Sequence, residues 1–285
     1  MNNSEIGLVI ILYHPTEGDI LNVRHLAQSW KGVIVDNSDT PFTEERVVGN
    51  MIYVCNRENL GIAEAQNIAI RSIIKEGYAK HIVLLDQDSR ISLTYPAGIV
   101  EEFERTKLRH SQLVMLGPTL KKNVSEEEYA SAIHNYQTDE DGFSERRQII
   151  CSGCCVSVEA ITEVGLMDSG LYIDYVDFEW CWRAASKGYV CGITQNLTIT
   201  HQVGSRELSL GKYKVIISAP FRYYYQYRNY FLLLRKDYVP AQWKFAFGIK
   251  LAARFLYFPL IVKGGLERWR YMLKGSIDGI RRKVS

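Results

Sequence analysis

His81-Ile82-Val83-Leu84-Leu85-Asp86-Gln87-Asp88-Ser89 is an apolar run that ends abruptly in two carboxylates with one residue between them. Ile82 to Leu85 is too short for a stable helix and is β-branched or leucine throughout, which fits a buried strand. Alternate side chains of a strand share a face, so Asp86 and Asp88 can point the same way. Two hard oxygen donors at the mouth of a sheet, followed by a hydroxyl, suit a divalent cation that carries phosphate. The same letters also spell a strand end with a solvated Asp turn. The flanking sequence has to decide between the two.

Upstream, Ile6 to Tyr13 is a continuous apolar strand, of the kind buried on both faces in a parallel sheet. His14-Pro15-Thr16 ends it, and Thr16 or Asp19 can cap a helix that runs to about Trp30. Gly32 to Val35 is a second strand and terminates in Asp36-Asn37-Ser38-Asp39. Met51 to Cys55 is a third, followed by a loop from Asn56 through Asn59 to Gly61. Ile62 to Lys75 reads as a helix with Ile62, Ala65, Ala69 and Ile73 on one face, stopped by Gly77. The pattern is strand–helix–strand–strand–helix–strand: an α/β fold with a Rossmann-like, mostly parallel sheet flanked by helices. Ligands are expected outside the carboxyl ends of such strands, where Asp36, Asn59 and Asp86/Asp88 fall. Neither GxGxxG nor a Walker sequence is present, so a nucleotide site would be of another type.

Downstream, Pro96 to Arg109 reads as a helix and Leu113 to Gly117 as a strand. Residues 121–147 are polar and acidic, a solvated loop or hairpin. Ile149 to Val158 returns as a strand, with a break at Gly153 that implies a close backbone approach. From about Asp177 a helix should bury Phe178, Cys181 and Trp182. Asp177 then sits at its N-terminus, where the helix dipole should keep the carboxylate ionised. Facing a cleft, such a group can take a proton from a hydroxyl; otherwise it is a plain N-cap. Val190 to Ile193 and Leu197 to Thr200 are the last strands. His201 closes the second, either as a structural side chain or as an imidazole ligand at a strand end.

The 285 residues allow one large domain or two. Six cysteines follow no evenly spaced framework and sit among apolar neighbours, so they read as buried small side chains of a reducing compartment. The N-terminus has no basic region or cleavage site of a secretory signal. A net charge of +2 hides an asymmetry. Residues 1–202 hold 17 Lys+Arg against 28 Asp+Glu, and residues 203–285 hold 17 against 4. The basic part is rich in aromatics and helical in period. Phe245 to Val262 is apolar but interrupted by Lys250, Arg254 and Pro259, which argues against a membrane span. Between Arg268 and Arg282, Trp269, Met272, Leu273, Ile277 and Ile280 share a face with basic residues mostly off it. That is an interfacial helix suited to an anionic leaflet, or else a packing or homodimer surface.

Several features coincide in order: Val35-Asp36-Asn37-Ser38, Asn59-Leu-Gly61 through Asn67, Asp86-Gln87-Asp88, Ser152-Gly153, Asp168, Asp177-Phe-Glu179-Trp-Cys-Trp-Arg183, Lys187-Gly188-Tyr189 and His201. Over residues 6 to about 205 this resembles the family 2 glycosyltransferases of GT-A fold. It resembles most the bacterial rhamnosyltransferases that extend O-antigen or related surface polysaccharides. Tyr227-Arg228-Asn229-Tyr230 looks like a segment common after the catalytic domain of these enzymes. The resemblance implies a GT-A catalytic domain at 1–205 and a helical, membrane-associating region at 206–285. It implies inverting transfer of a sugar, L-rhamnose from dTDP-L-rhamnose or a sugar from a UDP donor, to a lipid-linked saccharide. The enzyme would be cytoplasmic and peripheral at the inner face of the cell membrane.

By the same resemblance Asp36 would recognise the base, with Tyr13, Asn37, Asn59, Gly61, Asn67, Asp86 and Gln87 along the nucleotide and donor sugar. Asp86, Asp88 and His201 would hold Mg²⁺ or Mn²⁺ on the diphosphate, and Asp177 would be the catalytic base. Two departures stand out. Val176-Asp177 replaces the frequent Glu-Asp pair, leaving Asp174 and Glu179 as rival bases. Asp-Gln-Asp replaces Asp-Ala-Asp, and Gln87 would point to the opposite strand face or reach the donor from a bend. Two other classes compete. A nucleic-acid binder would use the basic aromatic tail, against which the acidic first part argues. A nucleotidyltransferase would need a Gly-rich N-terminal loop with a basic residue, which Leu12-Tyr13-His14-Pro15 lacks.

Overall fold

The computed structural model describes residues 3–122, 137–201, 206–210 and 213–282. Strand β1, Ile6–Leu12, is buried at all seven positions because it lies mid-sheet. It runs parallel to β2, Gly32–Asp36, on one side and to β5, His81–Asp86, on the other. Its period-two alternation feeds two cores. Ile6, Leu8, Ile10 and Leu12 pack with Val23 and Leu26 of α1, Glu17–Ser29, and with Ile99 and Phe103 of α3, Tyr95–Lys107. Val9 and Ile11 pack with Ala65, Ala69 and Ile73 of α2, Ile62–Glu76. Thr16 caps α1 and Asp19 completes the capping box, so both candidate caps act together.

The remaining strands are β3, Val47–Val48; β4, Met51–Cys55; β6, Leu113–Lys122; β7, Phe143–Arg146; β8, Cys155–Ser157; and β9, Val190–His201. The nine-stranded order is β3-β4-β2-β1-β5-β8-β6-β9-β7. The β4-β2-β1-β5 half and the β6-β9 pair are parallel; the other neighbours are antiparallel. The strand expected over Ile149 to Val158 is shorter: residues 151–154 form a turn, closed by Cys154 N on Cys151 O, that still bonds Leu84 through Gly153 and Cys154, and only Cys155–Ser157 is regular strand. The close approach at Gly153 is to the protein itself: a Cβ there would meet Ile199 at 2.7 Å and the Tyr95 hydroxyl at 2.9 Å. The last two expected strands are one strand, β9, with an irregularity opposite Pro118/Thr119. Five of the six cysteines are buried and all are free.

Helix α4 spans Val158–Val164, and α5, Val176–Ser186, buries Trp180, Cys181 and Trp182. The last part of the chain is not helical throughout. A two-stranded hairpin, β10 (Arg206–Leu210) and β11 (Tyr213–Ile217), precedes α6, Pro220–Leu234, α7, Ala241–Ile261, and α8, Gly265–Arg281. Leu232, Leu233 and Val239 join the core that holds Trp180 and Trp182, so α6 is packed into the body of the sheet domain. Helix α8 meets α6 backbone to backbone: Cβ atoms at Gly275 and Gly279 would lie 2.2 Å from Tyr224 O and 2.7 Å from Arg228 O. Met272 is therefore buried and does not belong to an open apolar face, whereas Leu266, Leu273, Ile277 and Ile280 are exposed. Among the described residues no helix is long and apolar enough to cross a membrane.

Candidate active site

The register of the parallel strands sets the site. Asp36 ends β2 opposite Leu12, and Asp86 ends β5 opposite Ile11. Two carboxylates thus flank the end of β1, two strand spacings or ~10 Å apart. Asp36 is fully buried. Its Oδ1 accepts from the Ser38 amide at 2.9 Å and hydroxyl at 2.5 Å, and its Oδ2 accepts from the Tyr53 hydroxyl at 2.7 Å. Burial and this bond push the Tyr53 hydroxyl well above its usual range. Ser38 and Tyr53 hold the carboxylate in one orientation, a role that no local sequence signal announced.

Asn37 and Asn59 join the next loop to this edge. The Asn37 amide donates to Gly61 O at 3.1 Å and accepts from Asn56 at 2.8 Å, while Asn59 Oδ1 accepts the Gly61 amide at 3.0 Å. Gly61 has φ 82°, and a Cβ there would sit 2.5 Å from the Tyr172 ring, so only glycine fits. Asn67 is turned inward. Its amide donates to Met167 O and accepts from Met167 N, both at 2.9 Å, so it braces the turn before Asp168 rather than lining the strand ends.

Asp86 and Asp88 are half-buried, and the turn between them is tied down. The Ser89 hydroxyl accepts the Asp86 amide at 3.0 Å and lies 3.0 Å from the Ser152 hydroxyl. Gln87 bends back so that its Oε1 accepts the Tyr13 amide at 2.7 Å, which leaves the Tyr13 ring exposed at the rim. His201 closes β9, and its side chain lies outside the described residues. Among the described residues no group of three His, Cys, Asp or Glu is assembled for a metal. Two partly open carboxylates at a strand end nevertheless fit a hard cation that takes its other oxygens from a diphosphate and water.

Asp177 stands in the first turn of α5, accepting the Phe178 amide at 3.0 Å. The expectation that the dipole keeps it ionised is overturned. Desolvation outweighs the backbone hydrogen bonds, and the charges of Asp86 and Asp174 add to it, so its pKa is raised to about 7. Asp86 and Asp177 also both raise the buried Cys151 and Cys154 thiols, which burial already pushes up. The 151–154 loop therefore lies within electrostatic reach of both carboxylates. The rival bases are occupied. Asp174 forms a forked ion pair with Arg222. Glu179 is fully buried, takes both Arg183 donors at 2.9 Å and accepts from the Tyr238 hydroxyl.

The chain leading to Asp177 is strained: Tyr172, Asp174 and Tyr175 have φ of 67°, 66° and 66°. Helix α6 holds it there. Asn229 Nδ2 reaches Leu171 O, Ile173 O and Asp174 O at 2.9, 2.8 and 3.1 Å. Arg228 donates to Gly170 O at 2.8 Å and Leu171 O at 2.9 Å, and also to Asn229 Oδ1. Tyr172 stacks on Tyr225 at 4.5 Å. Lys236 pairs with Asp168 at 2.8 Å.

A half-parallel sheet with carboxylates at the ends of its central strands, and helices on its faces, is the arrangement of a GT-A glycosyltransferase. Solved structures share the fold. The Staphylococcus aureus TarS fragment 1–349 with UDP-GlcNAc matches at a TM-score of 0.58 and 14% identity, over 97% of this chain and 81% of that one. GalNAc-T7 with UDP, GalNAc and Mn²⁺ matches at 0.51 and 13%, over 69% and 43%. No protein-family model matches the sequence. The dTDP-rhamnosyl transferase RfbF of Shigella flexneri is 30% identical over 299 residues, 98% of this chain and 96% of that protein. The chain belongs to the glycosyltransferase family of RfbF.

Proposed function

We propose that the enzyme, in the manner of family 2, transfers L-rhamnose from dTDP-L-rhamnose to a lipid-linked saccharide of bacterial surface polysaccharide such as O-antigen, with inversion at the anomeric carbon. The observation that carries this is Asp177, a carboxyl with a pKa raised to about 7 that lies within electrostatic reach of the strand-end Asp86. A base poised near the working pH is the effective kind. Asp177 takes the proton of the acceptor hydroxyl while that oxygen attacks C1 opposite the leaving group, so the product inverts. Asp36, fixed by Ser38 and Tyr53, receives the pyrimidine ring. Asn37, Asn59 and Gly61 shape the nucleotide's side of the cleft, and Gln87 locks the Tyr13 backbone beside it. Asp86 and Asp88, with His201, would hold Mg²⁺ or Mn²⁺. Bound there, the cation offsets charge on the leaving diphosphate.

The acceptor places the enzyme at the inner face of the cell membrane, with residues 1–205 as the catalytic domain and 206–285 as the membrane-facing part. The nucleic-acid reading loses support because Arg222, Arg228 and Lys236 of the basic region are committed to the 168–174 segment. A thermal-shift panel of dTDP-rhamnose and UDP-sugars, with and without Mn²⁺, followed by a transfer assay, tests the whole reading. The dTDP donor should give the largest shift, and chelation should abolish transfer until Mg²⁺ or Mn²⁺ is restored. Full turnover after complete chelation would remove the metal role of Asp86 and Asp88.

A further inference from the structure

Helices α6, α7 and α8 enclose an apolar pocket of about 380 Å³, away from the strand ends, lined by Tyr227, Tyr230, Leu251, Ala252, Phe255 and Leu256 among others. Its size is that of a small-molecule site, ~300–1,000 Å³. The hydroxyls on its wall are used elsewhere: Tyr227 donates to Leu251 O at 2.6 Å, Tyr230 to Lys244 O at 2.9 Å and Ser276 to Met272 O at 2.9 Å. Nothing polar is left to receive a polar ligand, and such a lining favours hydrocarbon.

The pocket opens onto an exposed apolar stripe. Ala252 and Leu256 at its mouth continue a row on α7 formed by Phe245, Ile249 and Leu260, with Phe245 73%, Leu256 72% and Leu260 85% exposed. The row spans ~22 Å of helix. Residues 241–282, which hold both α7 and α8, carry 9 Lys+Arg and 2 Asp+Glu. A second copy on this face would set like charges against each other, whereas a phosphate-bearing amphiphile matches both the apolar row and its basic surroundings.

We infer that this pocket is a binding site for the hydrocarbon chain of a phosphate-linked lipid, the tail of the acceptor. The inference rests on reading the acceptor as lipid-linked. The site would keep the tail on α6–α8 while the saccharide reaches the strand ends.

The test titrates the full chain calorimetrically with decyl phosphate below its micelle concentration, butyl phosphate and inorganic phosphate. Affinity should rise at least tenfold from butyl to decyl phosphate. Ala252→Trp and Leu256→Trp, which fill the mouth from exposed positions, should each remove that gain while leaving the dTDP-induced thermal shift unchanged. Equal affinity along the series, or an unchanged gain in both variants, overturns the site. So does a wild-type dimer in sedimentation that buries this face and binds no decyl phosphate. These measurements use no acceptor, so they stand apart from the reading of the reaction. Chain binding together with transfer only to water-soluble saccharides would overturn the acceptor assignment and leave the hydrocarbon site in place.

Discussion

Asp177 accepts only the backbone amides of Phe178 and its own residue and has no cationic partner among the described residues, so burial sets its titration. Asp177→Asn should keep donor binding and lower kcat by ~10²–10⁴, the usual range for a general base; wild-type turnover would exclude the role. With a pKa raised to about 7, kcat/KM should rise with pH through neutrality and fall as the group protonates below it. The linkage to stability has the opposite sign. The folded pKa lies above the ordinary value of 3.8, so between the two the folded state holds a proton that the unfolded chain has released. Stability therefore falls as pH rises through that window and levels off above about 7. The full cost is as much as ~4 kcal/mol, reduced by solvent on the open side of the residue. Asp177→Asn escapes this cost, so its melting temperature at pH 8 should exceed wild type while its activity is lost. A lower melting temperature at pH 8, with no pH-dependent difference, would show that the carboxylate is stabilised in the fold. The position of this residue was legible from the aromatic pattern behind it. Its protonation was not, because the helix dipole is a local term and desolvation depends on what packs over the helix end.

Helix α6 does for the 168–175 segment what local sequence cannot. Three positive-φ residues within four positions cost ~1–3 kcal/mol each unless the surroundings impose them. The restraint comes from Arg228 and Asn229, some 55 to 58 residues on. Asn229→Ala would leave three carbonyls without this donor, at ~1–3 kcal/mol for each one that stays buried and unpaired. A large fall in kcat is expected, with the donor KM within about twofold, because a misplaced base costs as much as ~10²-fold. The acid limb of the pH profile should also move down as water reaches Asp177. An unchanged limb with a proportional loss of folded protein would make Asn229 a packing residue only. The strands were readable because their side chains alternate between two cores, as β1 shows. The Asp36 and Asp86 edge followed from strand order alone. What stayed hidden was held together across long separations: Tyr53 on Asp36, Asn67 on Met167, and Glu179 on Tyr238. The resemblance sets Asn67 beside the nucleotide and donor sugar, yet its face of α2 meets the 167 turn.

At the scale of the whole molecule the charge asymmetry divides into two uses. Arg222, Arg228 and Lys236 are spent inside, on the loop that leads to Asp177, while Arg270, Lys274, Arg281 and Arg282 remain on the surface at α8. Deleting residues 265–285 is therefore a poor probe of membrane contact. Gly275 and Gly279 lie against the α6 backbone that holds Asn229, so loss of α8 would disturb the active site as well as any membrane surface. Substituting only what is exposed separates the two. Leu273, Ile277 and Ile280 lie on α8 beside these basic residues, exposed at 38%, 38% and 57%. An interfacial helix gains from apolar burial and from ~1 kcal/mol per basic residue near anionic lipid. The triple change Leu273→Ser, Ile277→Ser, Ile280→Ser should leave the melting temperature near wild type and donor binding unchanged, because none of the three is buried. Sedimentation with vesicles of phosphatidylglycerol should fall at least tenfold, and wild-type binding should weaken as salt rises from 50 to 300 mM, since exposed charges are screened within ~10 Å at ~0.1 M. Transfer to a water-soluble acceptor should survive, while transfer to a vesicle-borne acceptor should drop with the binding. Unchanged partitioning of the triple variant, with wild type insensitive to salt, would assign the exposed face of α8 to contact with another protein surface and remove the membrane from the account of this enzyme.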